Sequence, residues 1–125
     1  MRIEQPAYSI LVDPERKYVE LSLRGSWNAE VTTEFNRQFL EALLTLPANG
    51  CPFGEQVALI DLTEFAVQPR DILPLLGELA NDPAVAPRRA ATVVGSMLLQ
   101  FQARRVAPNH RLFSDRPSAV KWLHQ

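Results

Sequence analysis

Two histidines, one cysteine and a few scattered serines bound the chemistry open to this 125-residue chain. A nucleophile triad needs serine or cysteine, histidine and an acid within mutual reach. His110 is followed by basic Arg111 with no acid close in sequence, and His124 lies one residue from the C-terminus, where fraying is expected. Gly95-Ser96 lacks the second glycine of the turn that presents a nucleophilic serine. Gly77 and Gly95 are isolated, so no glycine-rich loop is available to cradle a phosphate. Cys51 is the only thiol, which excludes an internal disulfide and a thiolate metal cluster and fits a reducing cytoplasm. Metal ligands do not cluster in the sequence, so neither metal nor cofactor is expected. These residues predict a protein that is not an enzyme.

Asp61 is the acid best placed to do something. It follows the apolar run Val57-Ala58-Leu59-Ile60, and sites in open α/β sheets tend to form where the chain leaves a strand. One reading makes Asp61 a ligand or partner contact, with Thr63, Asp71 and the helix start at Gly95-Ser96 nearby and the backbone N–H groups at Ser96 receiving an anion. The favoured reading has its carboxylate bonding neighbouring backbone N–H groups and fixing the loop into the next helix. Met97, Leu98 and Leu99 run in succession before Phe101, and three adjacent apolar residues cannot share one helical stripe. One of them can face outward as a partner surface, a dimer contact or part of an apolar pocket, but such residues more often sit under a neighbouring helix.

The elements that hold these residues follow from periodicity. Val57 to Ile60 reads as a strand buried on both faces, and Ala90 to Val94 as a second. They should lie side by side and parallel. Tyr8–Val12 and Tyr18–Arg24 form a hairpin at the sheet edge around Asp13-Pro14, the second strand alternating Val19, Leu21 and Leu23 with Glu20, Ser22 and Arg24. Asn28 caps a helix carrying Val31, Phe35, Phe39, Ala42, Leu43 and Leu46 on one face, with Trp27 packed under its start. The stretch from Pro47 to Glu55, with two prolines and Asn49-Gly50, is expected to be irregular, either a tolerated insertion or a contact surface using Cys51 and Phe53. Glu64 to Arg70 should also be irregular. Asp71 caps a helix with Ile72, Leu75, Leu76 and Leu79 on one face and Pro74 in its first turn. Ser96 caps another helix reaching about Val106. His110–Phe113 is a short strand, and Ser114 or Asp115 caps a last helix through Leu123. The order β-β-α-β-α-β-α-β-α predicts an α/β mixed sheet in one domain spanning residues 1–125.

Charge is divided along the chain. Residues 1–87 carry six basic and thirteen acidic groups, and residues 88–125 carry seven basic groups against Asp115 alone. Such a split can signal an anionic partner, but the favoured reading is that the two halves interleave in one fold. Few aromatic residues interleave with the arginines, which argues against nucleic acid. No apolar run approaches the ~20 residues of a membrane span, and the first residues lack a signal-peptide core.

The order and spacing of these pieces resemble STAS domains, the anti-sigma-factor-antagonist fold, and more closely their SpoIIAA-like relatives. Gly25 stands at the strand-to-helix turn, Val57 to Thr63 resembles the central strand ending in Asp-Leu-Thr, and Ala90 to Gly95 the next. Arg111-Leu112-Phe113 followed by Ala119 to Leu123 is similar to the family's ending. The resemblance covers nearly the whole chain. It implies a non-catalytic regulatory or protein-interaction module with a protein partner, or a homodimer. Signalling members carry a phosphorylatable serine or threonine at a place that falls here near Arg70. No serine, threonine or tyrosine occurs from Glu64 to Ala91, and Arg70 and Asp71 put opposite charges there instead. The alternative implied by the resemblance, through related lipid-transfer domains, is a carrier of a small apolar or lipid ligand. That alternative requires a cavity between helices and sheet.

Overall fold

A computed structural model describes residues 1–125. Six strands form one sheet: β1 (Arg2–Glu4), β2 (Tyr8–Asp13), β3 (Tyr18–Gly25), β4 (Val57–Phe65), β5 (Arg89–Val93) and β6 (Arg111–Phe113). They lie in sequence order. The first three are antiparallel, and β3 to β6 are parallel, with Ala58 opposite Ala90 and Ile60 opposite Thr92. The two expected interior strands are therefore neighbours running the same way. The fold class is the expected one, with a sixth strand added: β1 covers the edge of β2, so the hairpin is not the sheet's margin.

Between and after the strands lie α1 (Ala29–Leu43), α2 (Thr45–Ala48), α3 (Leu73–Ala80), α4 (Met97–Val106) and α5 (Arg116–Leu123). Every parallel crossover steps the same way across the sheet. With right-handed connections, α1, α3 and α4 must then all fall on one face. Packing agrees: Phe35, Leu43, Ile72 and Leu99 join Leu21, Ala58, Leu62 and Ala90 in one core, while Ala119 and Leu123 of α5 join Val57, Leu59, Ala91 and Val93 on the other face. Strand β4 is thus buried from both sides, as its unbroken apolar run requires.

The helix starts obey local chemistry. Asn28, Ser96 and Asp115 each accept a backbone N–H from the first turn of α1, α4 and α5. Asp71 does not cap α3. It sits exposed inside the single 3-10 turn Arg70–Ile72, and Ile72 precedes the helix without a side-chain cap. Pro74 occupies the first turn as expected, needing no donor there. From residue 49 to 55 the chain is irregular, as expected, but it does not form a contact surface through Cys51 and Phe53. Pro47 and Ala48 belong to α2, Cys51 is wholly buried, and Phe53 packs against the core. Burial pushes the Cys51 thiol up. The segment closes the core beneath α1 rather than presenting a surface.

Amide side chains fasten the helical layer. Gln68 is buried; its Oε1 accepts from the Trp27 N–H at 2.7 Å and its Nε2 donates to the carbonyls of Gly25 and Ala66. The Gln68 backbone exchanges two hydrogen bonds with the Gln102 side chain of α4, both 2.8 Å. Asn36 of α1 donates to Leu75 O of α3 at 2.9 Å, and Asn81, just past α3, donates to Val106 O of α4 at 2.6 Å. Gly77 permits that last approach, since a Cβ there would meet Asn81 Nδ2 at 3.1 Å. Replacing Gln68 by alanine leaves several buried backbone groups unpaired. Urea unfolding of Gln68→Ala should show a loss of at least about 2 kcal/mol; a loss under about 0.5 kcal/mol would mean that water substitutes freely at this junction.

Candidate functional site

Beneath the helical layer the packing is incomplete. Helix α3 buries only Leu73 fully, while Leu75, Leu76 and Leu79 are partly buried although all belong to its apolar face. Below them is a half-enclosed cavity of about 130 Å³ between the sheet and α1, α3 and α4. Of its 26 lining residues 19 are hydrophobic, and none is an aspartate, glutamate, lysine or arginine. Leu21, Ile60, Phe39, Leu76 and Leu99 represent the apolar wall. The polar wall consists of Asn36, Gln56, Gln68, Thr92, Gln102 and His110.

Most of that polar wall is spoken for by the protein. Gln68 and Gln102 bond each other and the backbone, and Gln56 bridges Gly54 N–H and Val85 O. Asn36 is different: its Nδ2 is fixed on Leu75 O, and its Oδ1 is buried without any partner. His110 precedes β6, with Nδ1 3.3 Å from Thr92 Oγ1 and no partner at Nε2. Burial pulls the imidazole down to about 4, so the ring is neutral at physiological pH. Sequence reasoning discounted His110 for want of an acid. It enters the cavity wall through burial, a long-range property with no local signal.

The other singled-out residues do not converge on this cavity. Asp61 does not leave the sheet. It lies within β4, opposite Ser22 on one side and Val93 on the other, where a bulge shifts the β3–β4 register. Its Oδ1 accepts the Thr63 N–H at 3.0 Å inside that bulge, and Oδ2 lies 3.8 Å from Arg116 of α5. The expected bonding to neighbouring backbone is present, but it shapes the strand instead of the loop into α3. Thr63, Arg70 and Asp71 are exposed, and the side chains of Arg70 and Asp71 make no hydrogen bond or ion pair with the protein. Gly95 and Ser96 are exposed beyond the end of β5, with the Ser96 hydroxyl accepting Leu99 N–H as a cap. Met97, Leu98 and Phe101 point to solvent, 71%, 65% and 59% exposed, so no neighbouring helix covers them and three apolar residues face outward. Leu99 alone of that run is buried.

The remaining chemistry-bearing residues are accounted for structurally. His124 is not frayed: it stacks on Tyr18 with ring centroids 6.1 Å apart. No three His, Cys, Asp or Glu residues gather in a metal-holding group. The basic C-terminal portion interleaves with the rest, as favoured. Arg88 and Arg89 donate to the last carbonyls of α5, and Arg116 bonds Glu20 of β3. Arg89 and Arg111 also stack on Trp122, 4.9 and 5.4 Å from its ring centre. No helix is long and apolar enough to cross a membrane.

Two measurements follow from this geometry. An unfolded histidine binds its proton near pH 6.5, whereas folded His110 resists to about 4. Its contribution is therefore complete above pH 6.5 and is lost as pH falls from 6.5 towards 4, by up to roughly 3 kcal/mol. The stability difference between the protein and His110→Gln should shrink over that interval in urea titrations; a constant difference would refute the neutral, buried ring. At the bulge, Asp61→Ala should cost about 1–2 kcal/mol, while Asp61→Asn, which keeps an acceptor for Thr63, should cost less than about 1 kcal/mol.

No protein-family model and no curated protein matches the chain. Solved structures do. An uncharacterised protein of the DUF3478 family with a SpoIIAA-like fold, from Shewanella loihica PV-4, is similar over 98% of each chain, with 21% identity and a TM-score of 0.68. An anti-sigma factor antagonist from Mycobacterium paratuberculosis is similar over 98% of this chain and 100% of its own, with 14% identity and a TM-score of 0.56. Shared strand order at so low an identity speaks for architecture, and the fold of this chain is SpoIIAA-like.

Proposed function

We propose that residues 1–125 form one non-catalytic regulatory domain that binds a small apolar ligand in the cavity between the helices and the sheet. The cavity carries the reading: about 130 Å³ of space under α3 and α4, walled mainly by aliphatic and aromatic side chains. Unfilled space of that size leaves its apolar walls short of dispersion contacts, and an apolar occupant restores them. The likeness to an anti-sigma factor antagonist supports a regulatory role over a catalytic one. So does the scatter of Asp61, Ser96, Cys51 and His124, each occupied with a cap, a bulge, a core position or a ring stack. Phosphorylation at the start of α3 does not enter, because no hydroxyl side chain occurs from Glu64 to Ala91. The lone thiol fits action in the cytoplasm.

A second reading is favoured by the outer face of α4. Met97, Leu98 and Phe101 are exposed together, and such a patch on a soluble surface suits protein contact, here a second copy of the chain. Methionine and phenylalanine are the adaptable and anchoring residues of such contacts.

Saturation with toluene should raise the melting temperature by several degrees through mass action, and native mass spectrometry of freshly purified protein should show a retained small hydrophobe. Ala103→Leu, which fills the cavity from α4, should abolish the toluene shift. An unchanged melting temperature for both proteins would sink the ligand reading. Sedimentation equilibrium tests the second: dimeric wild type and monomeric Phe101→Asp are expected, and monomeric wild type at tens of micromolar counts against self-association.

A further inference from the structure

The cavity's chemistry narrows its occupant beyond "apolar". Its lining has no ionised side chain, and burial keeps His110 neutral as well. An anion brought inside would lose its hydration without gaining a counter-charge, which burial does not tolerate. Fatty acids bound by their carboxylate and phospholipid head groups are thereby rejected. Size is equally restrictive. A cavity of about 130 Å³ is close to the ~150 Å³ void that accommodates one benzene, so sterols and long acyl chains do not fit whole.

The wall nevertheless offers one hydrogen-bonding position within a ligand's reach, since the unpaired Asn36 Oδ1 is itself fully buried. Thr92 Oγ1 and His110 Nδ1 face each other at 3.3 Å, and neither makes another side-chain hydrogen bond within the protein. If the threonine hydroxyl donates, Nε2 carries the ring proton and is a donor; if the threonine accepts, Nδ1 carries it and Nε2 is an acceptor. Nothing else in the protein fixes this choice. Nε2 is itself unpaired and is not fully buried, so it remains reachable. A hydroxyl, which both donates and accepts, matches either tautomer.

We propose that the cavity selects an uncharged molecule of about one ring bearing a single hydroxyl, a phenol in the simplest case, whose oxygen bonds Nε2 of His110 while the ring lies against the aliphatic wall. This rests on the ligand-binding reading above, and it goes further by assigning the ligand's polarity and the residue that reads it. In a wholly apolar cavity a hydroxyl would be penalised roughly ten- to a hundredfold for its lost hydration. Here that penalty is offset at one point.

Calorimetric titration of the full chain at pH 7 with toluene, phenol and benzoate tests this. Phenol should bind at least as tightly as toluene, and benzoate should not bind. His110→Phe should weaken phenol about tenfold and leave toluene within about twofold. Should His110→Phe fail to fold, the imidazole ¹⁵N resonances of the unaltered protein serve: phenol should shift Nε2 and toluene should leave it in place. Toluene binding with phenol tenfold or more weaker overturns the hydroxyl assignment while leaving the cavity a ligand site. Tight benzoate binding overturns the neutral-ligand assignment. Binding of none of the three removes both this inference and the reading beneath it.

Discussion

A handful of primary amides sets the height of the helical layer above the sheet. Apolar attraction has no preferred direction, and left to itself it would draw α3 down until Leu75, Leu76 and Leu79 were covered. Directional bonds prevent that. Asn36 holds α3 from α1, Asn81 ties it to α4, and Gln102 ties α4 to the Gln68 junction, each through a backbone group whose position along the chain is fixed. Gln68 in turn joins the ends of β3 and β4 to the start of α1 through Gly25, Ala66 and Trp27. Gln68 is buried and Asn36 and Gln102 are half-buried, where an amide is costly unless paired, and nearly all of their polar atoms are paired. The exception, Asn36 Oδ1, is pinned by the other end of its own amide: turning the group over would face two oxygens towards each other at Leu75. The unfilled space below is thus the geometric remainder of a frame closed at its edges.

The lopsided distribution of layers has a simpler origin. Four parallel strands taken in order, β3 to β6, force three crossover helices onto one face and leave only the C-terminal helix for the other. One short helix must then cover the back of β4, β5 and β6. It is anchored by cations: Arg88 and Arg89 meet the carbonyls where the helix dipole is negative, and Arg116 reaches Glu20 across the sheet. Guanidinium groups of Arg89 and Arg111 lie over Trp122, joining charge to aromatic area. The concentration of positive charge after residue 87 is in this light an attachment device for α5. Arg104, Arg105 and Lys121 are left for solvent.

Which parts of this were legible in the sequence follows the range of the forces involved. Caps at Asn28, Ser96 and Asp115, the period-two strand β3 and the apolar run of β4 are local, and each is present. Strand β1 was not legible, because three polar-flanked residues, Arg2–Glu4, become a strand only by meeting β2. Asp61 was misplaced because a charge after an apolar run looks like a strand end, whereas a bulge lets the strand continue with the carboxylate bonded inside it. Cys51 and Phe53 sit in a stretch whose prolines and glycines do forbid a strand, yet they fill the core from it, since turn chemistry says nothing about burial. The cavity is legible in the sequence only as something a carrier would require. Its volume is a difference between surfaces belonging to distant segments, and no spacing in the chain encodes it.

Helix α4 is where the two proposed roles of the molecule meet. Leu99, Gln102, Ala103 and Val106 face the cavity, and Met97, Leu98 and Phe101 face solvent, so one rigid ten-residue element presents both surfaces. Its attachments are few: a serine cap, the Gln102 pair and the Asn81 bond to Val106 O. An occupant that moves α4 therefore moves the outer apolar patch by a comparable distance, because a helix of this length transmits displacement instead of absorbing it. Coupling between the sites would be reciprocal by linkage: whatever the patch binds must alter the cavity's affinity by the same factor that the cavity's ligand alters the patch. On the two proposed readings, ligand binding and protein contact would be coupled through the position of one helix.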